Sequence, residues 1–227
     1  ARCQSRYVPR PTSVSHVPTT SRVTCGAPAV IKDFSTYAIL DEGSDNKRFT
    51  PAAFQLDKPS LAQVLRGLYT ADGTVANYGD KSQYIALDSC SLTLLQQVQV
   101  LLLSFGIKSK LYRDRRGGST IAELPSGKGS YRPYVVKEMY SLRISRSSRL
   151  LFEREIGFHP DSPKAARLRQ LNAEVECYQD TLTTKFERLE WAAQTIVYDL
   201  TEPATQHFVA NGFVVHNCSE FLSNDDT

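Results

Sequence analysis

At 227 residues, 41% hydrophobic and 22% charged, the chain has room for one large or two modest domains with a sizeable core. No apolar run approaches the roughly 20 residues that span a bilayer, and Cys3, Cys25, Cys90, Cys177 and Cys218 are odd in number with no CxxC spacing. That argues against a membrane partner, a zinc site and a disulfide framework, and makes a reducing cytoplasm the expected compartment. The formal charge of +3 is concentrated locally. Eleven basic residues lie between Lys108 and Arg149 against three acidic ones, as a polyanion-binding face requires.

Residues 1–50 are rich in Ser, Thr and Pro, with Pro9, Pro11, Pro18 and Pro28 spaced against long helices, and read as a linker or loosely packed approach. After Pro59-Ser60, Leu61, Val64, Leu65 and Leu68 repeat at i, i+3, i+4, i+7, which predicts an amphipathic helix ending at Asp72-Gly73. An Asp at the carbonyl end of a helix opposes the dipole, a penalty that a divalent cation relieves. Thr74 to Tyr78 and Gln83 to Asp88 read as a hairpin across Gly79-Asp80, and Ser91 to Phe105 as a long helix stopped by Gly106. Ile107 to Tyr112 and Val135 to Ile144 are strand candidates joined by a Gly- and Arg-rich loop, followed by a shorter helix from Ser147 to Ile156.

The run Leu65-Arg66-Gly67-Leu68-Tyr69-Thr70-Ala71-Asp72-Gly73 resembles the LAGLIDADG signature of homing endonucleases, and the element order resembles that family's αββαββα repeat. The resemblance implies a pair of such helices packed side by side, with close approach at Gly67 and Ala71. It also implies Asp72 as a catalytic carboxylate binding Mg2+, and a sheet straddling double-stranded DNA in the major groove. Arg113, Arg115, Arg116, Arg132 and Arg143 lie on or beside the predicted sheet, as phosphate or base readers would. One such helix is present, so cleavage is expected to need a second subunit or a further half.

Asp161-Ser162-Pro163 opens another helix, with a cap and a proline in its first turn. The charge changes sign towards Glu174 and Glu176, which makes 51–176 the expected nuclease-like repeat and 177–217 a β-rich segment beginning near Thr183 to Trp191. Ile196 to Thr201, Gln206 to Ala210 and Phe213 to His216 are β-branched or aromatic runs, and Asn211-Gly212 between the last two is a strong hairpin signal.

The run ends at Asn217-Cys218. An Asn carboxamide nitrogen can attack its own main-chain carbonyl, closing a succinimide and expelling the next residue. Fast reaction needs near-attack geometry, an oxyanion donor and a general acid, and His216 and His207 could supply the last two. The Cys218 thiol is a nucleophile onto which an acyl group could first be moved.

The stretch TIVYDLTEPATQHFVANGFVVHNC, Thr195 to Cys218, resembles the C-terminal splicing motifs of an intein, the end of a Hint-like splicing domain. The resemblance implies Asn217 as the cyclising residue, His216 as its assistant, His207 and Asp199 as the pair that activates the junction, and Cys218 as the acceptor. Cys3 and Cys25 are candidate upstream nucleophiles, yet neither is followed by a strand-rich segment with the family's Thr-x-x-His. The fold class expected is therefore α+β, the chain reading as the C-terminal portion of an intein whose partner is an N-terminal half or upstream chain. Residues 218–227, Cys-Ser-Glu-Phe followed by an acidic stretch, are similar to the active-site segment of class II, cobalamin-dependent ribonucleotide reductases and read as the downstream host. The alternatives are a site-specific DNA endonuclease half active as a dimer, and a fragment of the reductase itself.

Overall fold

The computed structural model describes residues 13–17, 20–24, 27–79, 82–113, 121–125, 131–135, 137–196, 198 and 200–216, with backbone alone at 13–17, 20–24, 122–125 and 134–135. Two units emerge, Ala1–Asp180 and Thr181–Thr227.

In the first unit, strands β1 (Ser13–Val17) and β2 (Thr20–Thr24) form an antiparallel hairpin. Helix α1 (Pro28–Tyr37) follows, then the short paired strands β3 (Ala38–Ile39) and β4 (Arg48–Phe49). The segment expected to be a loose approach thus carries regular structure: Pro28 sits in the first turn of α1, where its missing N–H costs nothing. Phe49 enters the core, and its N–H and carbonyl are both taken by the Gln97 amide, at 2.7 and 3.0 Å.

A 3-10 turn at Pro51–Gln55 leads into helix α2 (Lys58–Asp72). The helix begins at Lys58, ahead of the Pro59-Ser60 start expected, because Asp57 is its cap, the carboxylate accepting from Ser60 N at 2.9 Å. Strands β5 (Gly73–Asn77) and β6 (Gln83–Ser89) form the expected hairpin, and helix α3 (Leu92–Leu103) is capped by Ser91. Gly106 at φ +70° turns the chain so that Ile107 N donates back to Leu102 O. That closure is why β7 (Lys110–Arg113) starts three residues later than predicted: Ile107 is spent on ending the helix and is fully buried.

The stretch read as a Gly- and Arg-rich loop holds a hairpin of β8 (Ile121–Pro125) and β9 (Tyr131–Val135), so the strand predicted from Val135 onward splits, with β10 (Tyr140–Ser145) as its second part. Helix α4 (Ser148–Glu155) ends at Gly157, φ +65°, and α5 (Pro163–Glu174) is capped by Ser162.

The central sheet is antiparallel in the order β5-β6-β10-β7. Alternation along it sets two faces. Ile85, Leu87, Leu142 and Ile144 point to one side, where α2, α3, α4 and β5-packed α5 cover them, and this is the core, with Leu65, Leu95, Val98, Leu102 and Phe152. Tyr84, Tyr112 and Arg143 occupy the other side. The fold is α+β, the αββαββα order holding from α2 to α4 with the β8-β9 hairpin inserted.

In the second unit β11 (His207–Ala210) and β12 (Phe213–His216) pair across Asn211 and Gly212, both at positive φ (50° and 84°), as a two-residue hairpin turn demands. The strands predicted over 183–191 and 196–201 are not formed at the described residues there. Their β propensity is real, but a strand exists only through a ladder partner.

Candidate functional site

The first cluster lies where α2 meets β5. Asp72 is the last residue of α2 and is exposed. Gly73 must be glycine: a Cβ there would lie 2.5 Å from Tyr69 O, so the chain leaves the helix by a path closed to any other residue. Lys164, one residue into α5, reaches across and donates from Nζ to Thr70 O (2.7 Å) and Ala71 O (3.0 Å). It satisfies carbonyls that a helix end leaves unpaired and sets a cation against the negative end of the dipole beside Asp72. Partial burial pulls the Lys164 ammonium below its ordinary range, while the Asp72 charge pushes the other way. Gly67 and Ala71, the expected close-packing positions, are exposed, and nothing lies within 4 Å of a Cβ built at Gly67.

The second cluster is the solvent face of the sheet. The registers Arg143↔Ala86 and Arg143↔Lys110 put Arg143 at its centre. Its guanidinium carbon sits 4.4 Å from the Tyr84 ring centroid and 4.7 Å from that of Tyr112, and Lys110 Nζ lies 5.2 Å over Tyr112. Burial raises the Tyr84 phenol, opposed by the Arg143 charge. The arrangement is a cation held between two aromatic faces, with planar groups available for stacking and donors for phosphate. Of the other predicted DNA contacts, Arg113 ends edge strand β7 and is exposed, but two residues on from core-packed Leu111 it shares that side of the strand and not the Arg143 face, and Arg132 is exposed on β9 in the separate hairpin. Arg115 and Arg116 lie outside the described residues. Arg149, counted above with the basic stretch, is not on a surface at all: it is 2% exposed.

The third cluster is the terminal hairpin. His207 and His216 are paired directly across β11 and β12, their rings edge to face with centroids 4.9 Å apart. His207 Nδ1 meets Thr205 O, and a carbonyl only accepts, so the proton sits on Nδ1 and Nε2 is the basic nitrogen. Thr205 is itself fixed by Glu202, whose carboxylate accepts from Thr205 Oγ1 (2.6 Å) and from Ala204 N and Gln206 N (3.0 Å each). Those bonds, the Thr205 hydroxyl first, hold Glu202 at about 2. Asp199, Asn217 and Cys218 lie outside the described residues, and Tyr198 beside Asp199 is exposed.

Sequence reasoning missed Lys164, Tyr84 and Tyr112. Aromatic residues flanking an Arg on neighbouring strands were readable as residues, but their juxtaposition depends on strand order.

The chain is 32% identical over 180 residues to the ribonucleoside-diphosphate reductase NrdEB subunit alpha of Bacillus subtilis (strain 168), covering 75% of this chain and 16% of that protein. It is 32% identical over 166 residues to the ribonucleoside-diphosphate reductase large subunit of Invertebrate iridescent virus 6, covering 72% and 16%. It is 28% identical over 186 residues to a DNA polymerase of Thermococcus sp. (strain GE8), covering 78% and 10%. The chain thus spans about a sixth or less of these relatives. No solved structure matches. Residues 60–157, from the first turn of α2 to the glycine that ends α4, carry a LAGLIDADG-like domain.

Proposed function

We propose that the chain is the C-terminal portion of an intein, in which the terminal hairpin promotes cyclisation of Asn217 and release of Cys218, and the LAGLIDADG-like unit binds DNA. The observation that carries the splicing reading is the His207–His216 pair, held edge to face one residue before Asn217. Asn217 Nδ2 attacks the Asn217 carbonyl carbon, the bond to Cys218 N breaks, and the proton lost by the amide is returned to the leaving amine. The histidines move that proton and donate to the oxyanion. Cys218 then carries the upstream acyl group as a thioester until its freed amine takes it.

Two further observations support this reading. Phe186, Leu189, Trp191, Ile196 and Tyr198 are each at least four-fifths exposed, a surface of the kind that partners cover. The N-terminal splicing half is the partner this reading supplies. The matched segment also recurs as a minor part of proteins named for unrelated activities, a reductase, a DNA polymerase and the ATP-dependent DNA helicase Hel308 of Thermococcus kodakarensis (strain ATCC BAA-918 / JCM 12380 / KOD1). An inserted element explains that spread; a piece of reductase activity does not. Residues 218–227 are then the resumption of a reductase host.

The test fuses a reporter after Thr227 and follows its release by mass. Release from the parent chain is expected, with none from Asn217→Ala, and with His207→Ala or His216→Ala slowing it on the order of a hundredfold. Unchanged release from Asn217→Ala rules succinimide chemistry out.

The DNA reading is favoured by the Arg143 sandwich on the open sheet face. The bare Gly67 and Ala71 stripe is where a second repeat would pack, bringing its own carboxylate beside Asp72. Asp72 offers a hard oxygen donor and so fits Mg2+ as one ligand of a shared site; bound there, the ion would supply Lewis-acid stabilisation of a phosphodiester's charge. Duplex affinity should fall steeply with salt and drop on the order of tenfold for Arg143→Ala. Salt-independent or absent binding removes this reading.

A further inference from the structure

Arg149 heads the fully buried side chains by volume and lies in the first turn of α4. Its Nη2 donates to Cys177 Sγ at 2.7 Å and to Val175 O at 3.4 Å, a weakly accepting thiol and a neutral carbonyl. Its Nε and Nη1, which carry three N–H donors between them, are buried and have no hydrogen-bond partner among the described residues. Among the described residues no carboxylate pairs with it; Glu153, one turn further along α4, accepts from Asn172 Nδ2 at 2.7 Å instead. A guanidinium taken out of water without an anion is strongly unfavourable, and unpaired buried donors are rare enough to need a cause.

The cause lies in what Arg149 faces. It lines a cavity of about 480 Å³ in the first unit, at the end of the sheet's solvent face. Ser109 lines the same cavity, and its buried hydroxyl also lacks a partner among the described residues. Lys108, Lys110, Arg143 and Arg146 surround them, and the acidic lining is Glu176 and Asp180, so five cations meet two carboxylates. A desolvated fixed charge and a positive field meet at this cavity, with unpaired donors enclosed in its wall.

We propose that this cavity is a phosphate-binding site, in which the surrounding lysines and arginines supply the field and Arg149 and Ser109 turn out of its wall to donate to the oxyanion. A phosphate accepts several charge-assisted hydrogen bonds at once, which a chloride or a carboxylate does less well. Two sources present that group. One is a phosphodiester of a DNA strand lying along the Arg143 face, which rests on the DNA reading above; the other is free phosphate or a nucleotide, which does not.

The full chain is titrated with inorganic phosphate, following the melting temperature and the Arg149 Nε–H resonance by NMR. Saturable binding is expected, with a rise in melting temperature and a shift of that resonance. Arg149→Met should lose both the binding and the phosphate-dependent rise. Should Arg149→Met fail to fold, Arg146→Asn removes an exposed charge at a residue with φ +53°, a conformation Asn tolerates. It should weaken phosphate binding on the order of tenfold, while Arg154→Gln, outside the cavity, leaves it unchanged. No shift of the Arg149 resonance up to millimolar phosphate, or equal binding by Arg149→Met, overturns the site.

A second arm adds a short duplex. Displacement of phosphate by DNA, with Arg149→Met weakening duplex binding, assigns the backbone as source. Phosphate and nucleotide binding that DNA does not displace assigns the free ligand. Loss of the DNA reading alone leaves the phosphate titration intact, so the two failures are distinguishable.

Discussion

Tyr69 shows at a single residue what the packing of α2 demands. It is fully buried, its ring edge-on to Phe152 with centroids 4.8 Å apart, and its hydroxyl has no partner among the described residues. Burial alone drives its phenol well above the ordinary range, the signature of a polar atom stranded in a core. Removing that oxygen keeps the ring contacts, so Tyr69→Phe should stabilise the chain by about 1 kcal/mol in urea unfolding with an unchanged m-value. Glu202 is the opposite case, a half-exposed carboxylate satisfied several times over. Its pKa lies at about 2 against an ordinary 4.5, so the turn stabilisation it gives is complete above pH 4.5 and is lost as pH falls towards 2. Amide exchange at Ala204, Thr205 and Gln206 should quicken across that window. Glu202→Gln should show the quicker exchange at every pH, with the His207 ring freed from its Thr205 contact.

Helix ends decide most of the architecture at the next scale. Ser91 is fully buried: its hydroxyl accepts from Leu94 N at 3.2 Å and donates to Lys47 O at 2.6 Å, tying the start of α3 to the β3-β4 segment. Ser91→Ala loses a cap and strands a carbonyl, and should cost about 2 kcal/mol, measured by thermal unfolding. The four helices of the repeat were legible in the sequence because their signals are local: apolar periodicity from Leu61, a cap at Asp161-Ser162, Gly106 as a stop, Asp72-Gly73 as an acidic end. The rest depends on partners distant in the chain. Ile107 reads as strand until α3 is seen to close on it, and the β8-β9 hairpin hides in a Gly- and Arg-rich stretch whose ladder no periodicity announces. Lys164 meets the end of α2 from more than ninety residues away. The Tyr84–Arg143–Tyr112 stack exists only once β10 is known to lie between β6 and β7. Arg149 misled in the other direction, since a charge count cannot tell a solvated arginine from a buried one.

Over the whole molecule, the core is confined to one unit. Its buried cluster runs from Phe49 to Leu168, whereas none of the described residues from 181 to 216 is buried. A segment of that size with large apolar side chains turned outward has no core of its own to hold it. The first unit also closes its own end, since Ser147 N donates to Tyr178 O and Asp180 N to Ser147 Oγ, both at or before the boundary at Asp180. Cutting the chain after Asp180 should therefore leave the main unfolding transition within about 2 °C of the full chain, because the buried cluster lies wholly on the retained side. The same truncation should abolish most binding of an apolar fluorescent dye, which the exposed Phe186, Leu189 and Trp191 would otherwise attract. Adding an N-terminal splicing half to the full chain should suppress the dye signal in the same way, and to the truncated chain should do nothing. A large drop in melting temperature on truncation would mean that the second segment is part of the first unit's stability, and that its apolar side chains already have their partner within this chain.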